Sequence, residues 1–198
     1  MGNPRAIRIF GDLIKSHNPN FIFLSETLVG KDIEGIAEKF GYASSFTVDK
    51  VGRSGGLAIL WKRSVSCNAV DSSLNHIDGH VMESSGPSWR LTCYYGYLEA
   101  APDKKGPHPH PQHLMNGFRM AIEDCGLTEL DLVGGDFTWE KSKGSLSWVR
   151  ERLDRAFANS EWWQKFPLYK LTVTHTISSD HDPIILEPVC VNHSRKQF

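Results

Sequence analysis

Near the end of the chain, Ser179, Asp180 and His181 are three neighbouring residues whose side chains suit acid–base or phosphate chemistry. The apolar run that follows, residues 184–186, contains two β-branched isoleucines and is typical of a buried strand. A carboxylate and an imidazole at the end of a rigid strand are well placed for catalysis. An isolated Asp-His pair is more often a loop cap or a surface pair, so the interpretation depends on the rest of the chain.

A second acidic candidate, Glu26, stands where the apolar run of residues 21–24 ends. A continuous apolar run of this length predicts a strand that is buried on both faces. A carboxylate where a buried strand emerges is a candidate metal ligand. The alternative for Glu26 is an ordinary helix or loop cap.

The helices that must position these residues are predicted from the residue types at their two ends. Asn3 is the predicted N-cap of a first helix, with Pro4 in the first helical position, and residues 18–20 end it. A second helix over residues 32–40 ends at Gly41, and a third over residues 114–125 ends at Gly126. Residues 156–166 are also predicted to be helical.

Strands are predicted from apolar runs and from alternation of apolar and polar residues. Before the third helix they cover residues 21–24, 42–48, 57–61, 65–70, 76–83 and 89–95; after it they cover 127–132, 137–139 and 168–176. Helix, strand and helix followed by a run of strands indicates an α+β fold.

The segment of residues 98–113 carries four prolines and three histidines without periodicity, which predicts a loop. His108, His110 and His113 resemble a small metal cluster. The interleaved prolines and the lack of a fourth ligand favour an ordinary loop instead.

Residues 141–155 combine basic side chains with tryptophans, a pattern that suits a phosphate backbone and exposed bases. An equally weighted alternative is a solvated helix with tryptophans in the core. The net charge of the chain is −1, so a nucleic-acid surface would have to be local. The candidate DNA-binding residues are Lys141, Lys143, Arg150 and Arg152.

The composition is that of an ordinary globular protein. The chain has 198 residues, of which 40% are hydrophobic and 23% charged, enough for one domain with a sizeable core. The apolar runs are too short to span a membrane, and we find no signal peptide. Four cysteines without metal spacing favour a reducing compartment, so we expect an intracellular protein, nuclear or cytoplasmic, that is not secreted.

The chain resembles the endonuclease/exonuclease/phosphatase superfamily through short segments that follow one another in the family's order. They read Phe-Leu-Ser-Glu-Thr, Gly-Gly-Leu-Ala-Ile-Leu-Trp, Tyr-Tyr-Gly, Asp-Cys-Gly-Leu, Phe-Thr-Trp, Glu-Arg-Leu-Asp-Arg-Ala and Ser-Asp-His-Asp-Pro. More narrowly, the chain is similar to the endonuclease domain of plant LINE-type retrotransposons. The resemblance extends from about residue 2 to residue 188.

The resemblance implies an α+β fold of the DNase I type. Two packed, mostly antiparallel β-sheets would form an α/β sandwich flanked by helices, with the active site at one rim. One domain would cover residues 1–190, and residues 191–198 would be a disordered tail. The implied activity is hydrolysis of a DNA phosphodiester with Mg²⁺, or Mn²⁺, without a membrane or a small-molecule cofactor.

The resemblance also assigns roles to individual residues. Glu26 would be the metal-binding carboxylate, and Asp180 would lie beside the metal. Tyr95 would donate a hydrogen bond to the scissile phosphate. Asp154 would orient the imidazole of His181, which would contact the phosphate and help water to attack.

Two parts of the family pattern are absent. One is an N-terminal strand that carries an Asn, and the other is a central strand ending in Gly-Asp-Phe-Asn. The chain passes from Gly96 through the Pro/His loop to Leu114, and Asp136 belongs to the later Phe-Thr-Trp strand, so it is not assigned the missing role. We therefore expect a degenerate endonuclease domain, a pseudo-enzyme with little or no activity.

Two alternatives remain open. One is a non-catalytic remnant that binds nucleic acid through residues 141–155. The other is a phosphatase of the same superfamily that acts on phosphoinositides or small phosphoesters. The match of residues 152–155, Arg-Leu-Asp-Arg, to the endonucleases argues against the phosphatase.

Overall fold

A computed structural model describes residues 4–27, 33–51, 55–82, 88–95, 104–105, 112–176 and 179–189. The chain divides into two compact units, Met1–Gly96 and Tyr97–Phe198. Asn3, His108, His110, the side chain of His113 and the predicted tail of residues 191–198 lie outside this description. Within the described residues, the helices are too short or too polar to cross a membrane.

The first unit combines two helices with two antiparallel sheets. The helices are α1 (Pro4–His17) and α2 (Ile33–Lys39). One sheet has the order β1-β3-β2 and the other the order β4-β5-β6. The strands are β1 (Phe21–Ser25), β2 (Ser44–Val48), β3 (Leu57–Trp61), β4 (Ser66–Ser72), β5 (His76–Met82) and β6 (Trp89–Tyr94).

The strand β3 is the centre of the first unit and is buried on both faces. Ala58 and Leu60 pack in one apolar cluster with residues of α1 and α2, among them Ile14 and Ala37. Leu57, from the opposite face of β3, packs in a second cluster with residues of β5 and β6. Because successive side chains of a strand alternate between faces, the run Leu-Ala-Ile-Leu serves two cores at once.

The end of α2 is fixed by Gly41, as the sequence predicted. Gly41 has φ +82°, which a residue without a Cβ adopts at little cost. Its N–H donates to Glu38 O at 3.0 Å, and the next N–H, of Tyr42, donates to Ala37 O at 2.9 Å. These bonds satisfy carbonyls that the helix leaves free. Tyr42 is thereby turned into the core, where burial raises its pKa to about 12.

The second unit contains two helices, α3 (Gln112–Asp124) and α4 (Ser160–Lys165), and several short strands. β10 (Trp139–Lys141) and β7 (Lys104–Lys105) flank β11 (Val149–Glu151). β8 (Thr128–Glu129) pairs with β12 (Phe157–Ala158). β13 (Lys170–Val173) pairs antiparallel with β14 (Ile184–Glu187) and parallel with β9 (Leu132–Val133). Leu130, Ala158 and Leu171 form the core.

Two predictions for the second unit were wrong, and one open alternative is excluded. Residues 104–105 of the predicted loop pair with Arg150 and Glu151. Residues 139–151 form the β10–β11 hairpin, where a solvated helix was one alternative. Residues 157 and 158 belong to β12, and helix α4 begins only after its N-cap Asn159. Strand pairing overrides the helical pattern at residues 139–151 and 157–158, and it adds a short strand to the loop at residues 104–105.

Candidate active site

The candidate site residues fall into two groups, one in each unit. Asp154, Asp180 and His181 lie in the second unit, whereas Glu26 and Tyr95 lie in the first. The prediction that the two groups share one rim stays a prediction.

The Ser-Asp-His turn is held along β10 by backbone hydrogen bonds. Glu140 N–H donates to Asp180 O at 3.0 Å, and Asp182 N–H donates to Thr138 O at 2.7 Å. Between them, Trp139 and His181 form an antiparallel bridge. The turn is thus an added strand partner of β10, which gives its side chains a rigid support.

The structure brings Asp154 and His181 together. Nδ1 of His181 lies 3.1 Å from Oδ2 of Asp154, and the side chains retain 26% and 31% exposure. A carboxylate at Nδ1 favours the tautomer in which this nitrogen carries the proton. Nε2 is then the nitrogen that can accept a proton from water or, when protonated, donate to a phosphate oxygen.

Asp154 is positioned by Thr138, a residue that the sequence analysis missed. Thr138 is fully buried, and its Oγ1 accepts the N–H of Leu153 at 3.1 Å and that of Asp154 at 2.8 Å. Its own N–H donates to Glu151 O at 3.0 Å. Thr138 therefore holds the Asp154 backbone with its hydroxyl and the His181 turn with its carbonyl. The available signal was a lone hydroxyl between two aromatic residues, Phe137 and Trp139.

Asp180 is oriented by Trp139, which the sequence analysis did not assign to the site. The indole Nε1–H donates to Asp180 Oδ2 at 3.1 Å. The Trp139 ring also lies 6.4 Å from the His181 ring, centroid to centroid, at 55°. The indole occupies one carboxylate oxygen of the exposed Asp180, so a cation would bind through the other.

In the first unit, the hydroxyl of Tyr95 donates a hydrogen bond to Oε1 of Glu26. Glu26 is exposed at the end of β1 and has φ +52°, an unusual conformation for a residue with a side chain. Tyr95 is anchored by Asn75, which accepts its N–H at 2.7 Å and donates Nδ2–H to its carbonyl at 2.9 Å. This pair links the end of β1 with the end of β6.

The donor chemistry of Glu26 and Asp180 fits Mg²⁺. Both are exposed carboxylates, and each has one oxygen engaged by a neutral donor, Tyr95 or Trp139. Over the described ranges, His, Cys, Asp and Glu form no group of three or more that could hold a metal ion. An exposed carboxylate with one free oxygen can serve as one ligand of a Mg²⁺ ion that keeps most of its waters.

The four candidate DNA-binding residues differ in their surroundings. Arg152 Nε–H donates to Asp136 O at 2.9 Å, and its Nη1 lies 3.6 Å from Glu129 Oε1. Lys143 pairs with Glu140 at 2.9 Å on the surface. Lys141 is exposed at the end of β10.

Arg150 is stacked on two aromatic rings. Its guanidinium carbon lies 4.3 Å from the centroid of Phe137 and 5.3 Å from that of Trp148. Nε is buried and has no hydrogen-bond partner in the part of the chain that the structure describes. On the hairpin loop beside it, Trp148 is 39% exposed and Leu146 is fully exposed.

Comparison with known proteins rests on structure. No protein-family model matches the chain, and no curated protein matches its sequence. A crystal structure of truncated Caenorhabditis elegans TDP2 is similar, with a TM-score of 0.55 and 16% identity over 91% of this chain and 88% of that one. A structure of TDP2 from C. elegans gives a TM-score of 0.57 and 17% identity over 92% of this chain and 70% of that one.

These likenesses establish the fold. The prediction of an α+β, DNase I-like fold is confirmed, with several antiparallel sheets flanked by helices. At 16–17% identity this likeness concerns the fold and leaves the superfamily as an expectation from the sequence. The narrower similarity to plant LINE endonucleases rests on the sequence segments alone.

Proposed function

We propose that the chain is a Mg²⁺-dependent phosphodiester hydrolase domain of the LINE retrotransposon endonuclease type, of plant origin, in a degenerate form. Its substrate would be DNA, and its turnover would be low or absent. The observation that carries the proposal is the Asp154–His181 pair, with 3.1 Å between Oδ2 and Nδ1, on a turn bonded to β10. Free Cys67, Cys93 and Cys125 suit a nuclear or cytoplasmic protein.

The residues of the second unit would work on the phosphate and on water. With its proton on Nδ1 directed at Asp154, His181 would use Nε2 toward the substrate. There it would accept a proton from the attacking water or donate to a non-bridging oxygen. Trp139 keeps Asp180 in one orientation beside this imidazole, which reduces the freedom lost when a cation binds.

By the family resemblance, Glu26 and Asp180 would be the acids that hold Mg²⁺, which would supply positive charge beside the phosphate oxygens. Tyr95 donates its hydroxyl hydrogen to Glu26. The resemblance assigns the same hydroxyl to the scissile phosphate, so Tyr95 would exchange the Glu26 oxygen for a phosphate oxygen when substrate binds.

The degenerate character is inferred from the sequence pattern. The Asp and Asn of the missing Gly-Asp-Phe-Asn strand align the nucleophile in related endonucleases. Members of a catalytic unit act together, and loss of one commonly costs several orders of magnitude in rate. A chain that keeps the imidazole, its carboxylate and a metal-binding acid can retain binding while losing turnover.

The proposal is tested with supercoiled plasmid. We expect little or no nicking by the purified chain with Mg²⁺ or Mn²⁺, and whatever nicking remains should disappear with EDTA and in the His181→Ala variant. Robust nicking that depends on His181 would show an intact enzyme and contradict the degenerate form. Hydrolysis of a soluble phosphoester without action on plasmid would instead support a phosphatase. Nicking that is unchanged in His181→Ala would be a contaminant.

A second candidate function is binding of nucleic acid without cleavage. The stack of Arg150 on Phe137 and Trp148, with Leu146 exposed at the hairpin loop, favours it. A cation held on aromatic faces can contact a phosphate while the exposed rings stack on bases. DNA binding that persists in His181→Ala would separate this function from catalysis.

A further inference from the structure

A second acid–imidazole pair lies next to the first. Nδ1 of His175 is 2.6 Å from Oδ2 of Asp182, and Oδ1 of Asp182 accepts the Thr176 N–H at 2.8 Å. Asp182 follows His181 directly in the chain, whereas His175 and Thr176 follow the end of β13. Neither His175 nor Asp182 has a role in the proposed function.

The pair closes the segment that carries the candidate catalytic residues. Next to the pair, Thr174 N–H donates to Pro183 O at 3.0 Å. The Asp182 N–H donates to Thr138 O at 2.7 Å, just before β10. Asp182 therefore connects the residues after β13 through its side chain and those before β10 through its backbone. The residues it encloses include Ser179, whose Oγ accepts the His181 N–H at 3.0 Å.

The exposures of the two imidazoles indicate different tasks. The side chain of His175 is 74% exposed and that of Asp182 is 21% exposed. His181, in contrast, is 26% exposed and faces Asp154. The less exposed member of the His175–Asp182 pair is thus the carboxylate, which also accepts the Thr176 N–H.

We propose that Asp182, supported by His175, is a positioning residue that holds His181 in reach of Asp154. The two residues form a clasp, defined as the side chains of His175 and Asp182 with the N–H of Thr176. This inference gives the clasp a role within the proposed function and rests on that function for its catalytic meaning. The bond of Asp182 to Thr138 ties the clasp to the same threonine that holds Asp154.

The tautomer of His181 shows whether the clasp keeps this imidazole facing Asp154. While Asp154 faces Nδ1, the neutral His181 ring carries its proton on Nδ1; an imidazole without such a partner carries it mainly on Nε2. Nitrogen-15 NMR of the imidazoles at about pH 8.5, where histidines are ordinarily neutral, distinguishes the two tautomers. This signature does not depend on activity, and a loss of stability alone leaves it unchanged in the folded protein.

The experiment compares Asp182→Ala with Asp182→Asn in the full chain. The alanine removes both side-chain bonds, so we expect the Nδ1–H tautomer of His181 to be lost. The asparagine keeps an oxygen for the Thr176 N–H, and its amide can donate to His175, so the tautomer should be retained. Asp71→Ala is the matched control, because Asp71 pairs with His76 at 3.3 Å on the surface of the other unit. It should leave His181 unchanged.

The outcomes are distinct. A folded Asp182→Ala chain that keeps the wild-type tautomer would overturn the clasp. If that variant does not fold, His175→Ala, which keeps the Asp182–Thr176 bond, should show partial loss of the tautomer, and no loss would overturn the clasp. A wild-type chain without the Nδ1–H tautomer would contradict the Asp154–His181 pair of the proposed function. Amide exchange at His181 would then decide: faster exchange in Asp182→Ala supports the clasp, and equal exchange overturns it.

Discussion

Tyr95 and Glu26 are 69 positions apart in the chain, and the hydroxyl of the tyrosine donates a hydrogen bond to the carboxylate of the glutamate. Both residues were selected from the sequence for separate tasks, one at the phosphate and one at the metal. Their contact shows that β1 and β6 end close to each other. In this arrangement the hydroxyl restrains the carboxylate before any cation binds.

The loop beside Glu26 depends on two glycines that can be compared directly. Gly55 and Gly56 have φ +90° and +87°, but a Cβ on Gly56 would lie 2.7 Å from Thr27 Oγ1, whereas one on Gly55 meets nothing within 4 Å. We expect Gly55→Ala to lower the free energy of unfolding by about 1 kcal/mol through backbone strain. Gly56→Ala should lower it by about 2–4 kcal/mol, since crowding is added. Urea denaturation of both variants measures the difference; equal losses would contradict the crowding of Thr27.

Thr138→Val tests the support of Asp154. The substitution keeps the volume but leaves the Leu153 and Asp154 N–H groups without their acceptor in a fully buried place. We expect a loss of about 2 kcal/mol or more in the free energy of unfolding. Thr138→Ser, which keeps the hydroxyl and loses one methyl, should cost about 1 kcal/mol. Amide exchange at Asp154 should be faster in the valine variant alone, and unchanged exchange would exclude this role of the hydroxyl.

The lowered pKa of Asp78 predicts that the folded chain loses stability in acid. Burial alone would raise its pKa, but hydrogen bonds from Arg90 and Thr92, with the positive charges of Arg90 and His76, outweigh burial and lower it. Its carboxylate receives Arg90 Nε–H at 2.7 and 2.8 Å. A pKa lower in the folded chain means that ionised Asp78 stabilises the fold above the unfolded pKa of about 3.9, and that this contribution is lost as the pH falls through the folded value.

Asp78→Asn should therefore be less stable than the wild type at neutral pH, by about 1–2 kcal/mol, a modest value because Arg90 is largely exposed. The difference should shrink when urea denaturation is repeated toward pH ~3. Asp71→Asn, at a 70% exposed acid, is the control and should change stability by less than about 0.5 kcal/mol. A difference between Asp78→Asn and wild type that is constant with pH would refute the ionised pair.

The β10–β11 hairpin should carry the affinity for DNA. We expect Trp148→Ala to weaken binding of a single-stranded oligonucleotide by about 1–3 kcal/mol, through lost stacking. Arg150→Met should reduce the slope of log affinity against log salt by about 1, because one phosphate contact is removed. Fluorescence anisotropy over a salt series measures both quantities. Arg119→Met, an exposed arginine on α3, is the control, and an equal effect there would show only a loss of general charge.

The ends of the helices could be predicted because they depend on neighbouring residues. Gly41 and Gly126 end α2 and α3 with the same pair of hydrogen bonds, since a positive φ is needed there and glycine adopts it freely. The strand of residues 57–61 was predicted as a strand from its unbroken apolar run, and the structure buries it on both faces. The DNase I-like α+β fold was predicted from the order of short segments.

The tertiary structure alone decided which segments pair around the candidate site. The hairpin of residues 139–151 is stabilised by pairing with residues 104–105 and with the Ser-Asp-His turn, and no local pattern encodes such partners. Thr138 and Asp182 acquire their roles through hydrogen bonds to distant backbone groups, whose availability depends on strand register. The family resemblance of the sequence implied that Asp154 would orient His181. Only the tertiary structure shows how this contact is built: the turn pairs with β10, Thr138 holds the Asp154 backbone, and Nδ1 and Oδ2 lie 3.1 Å apart.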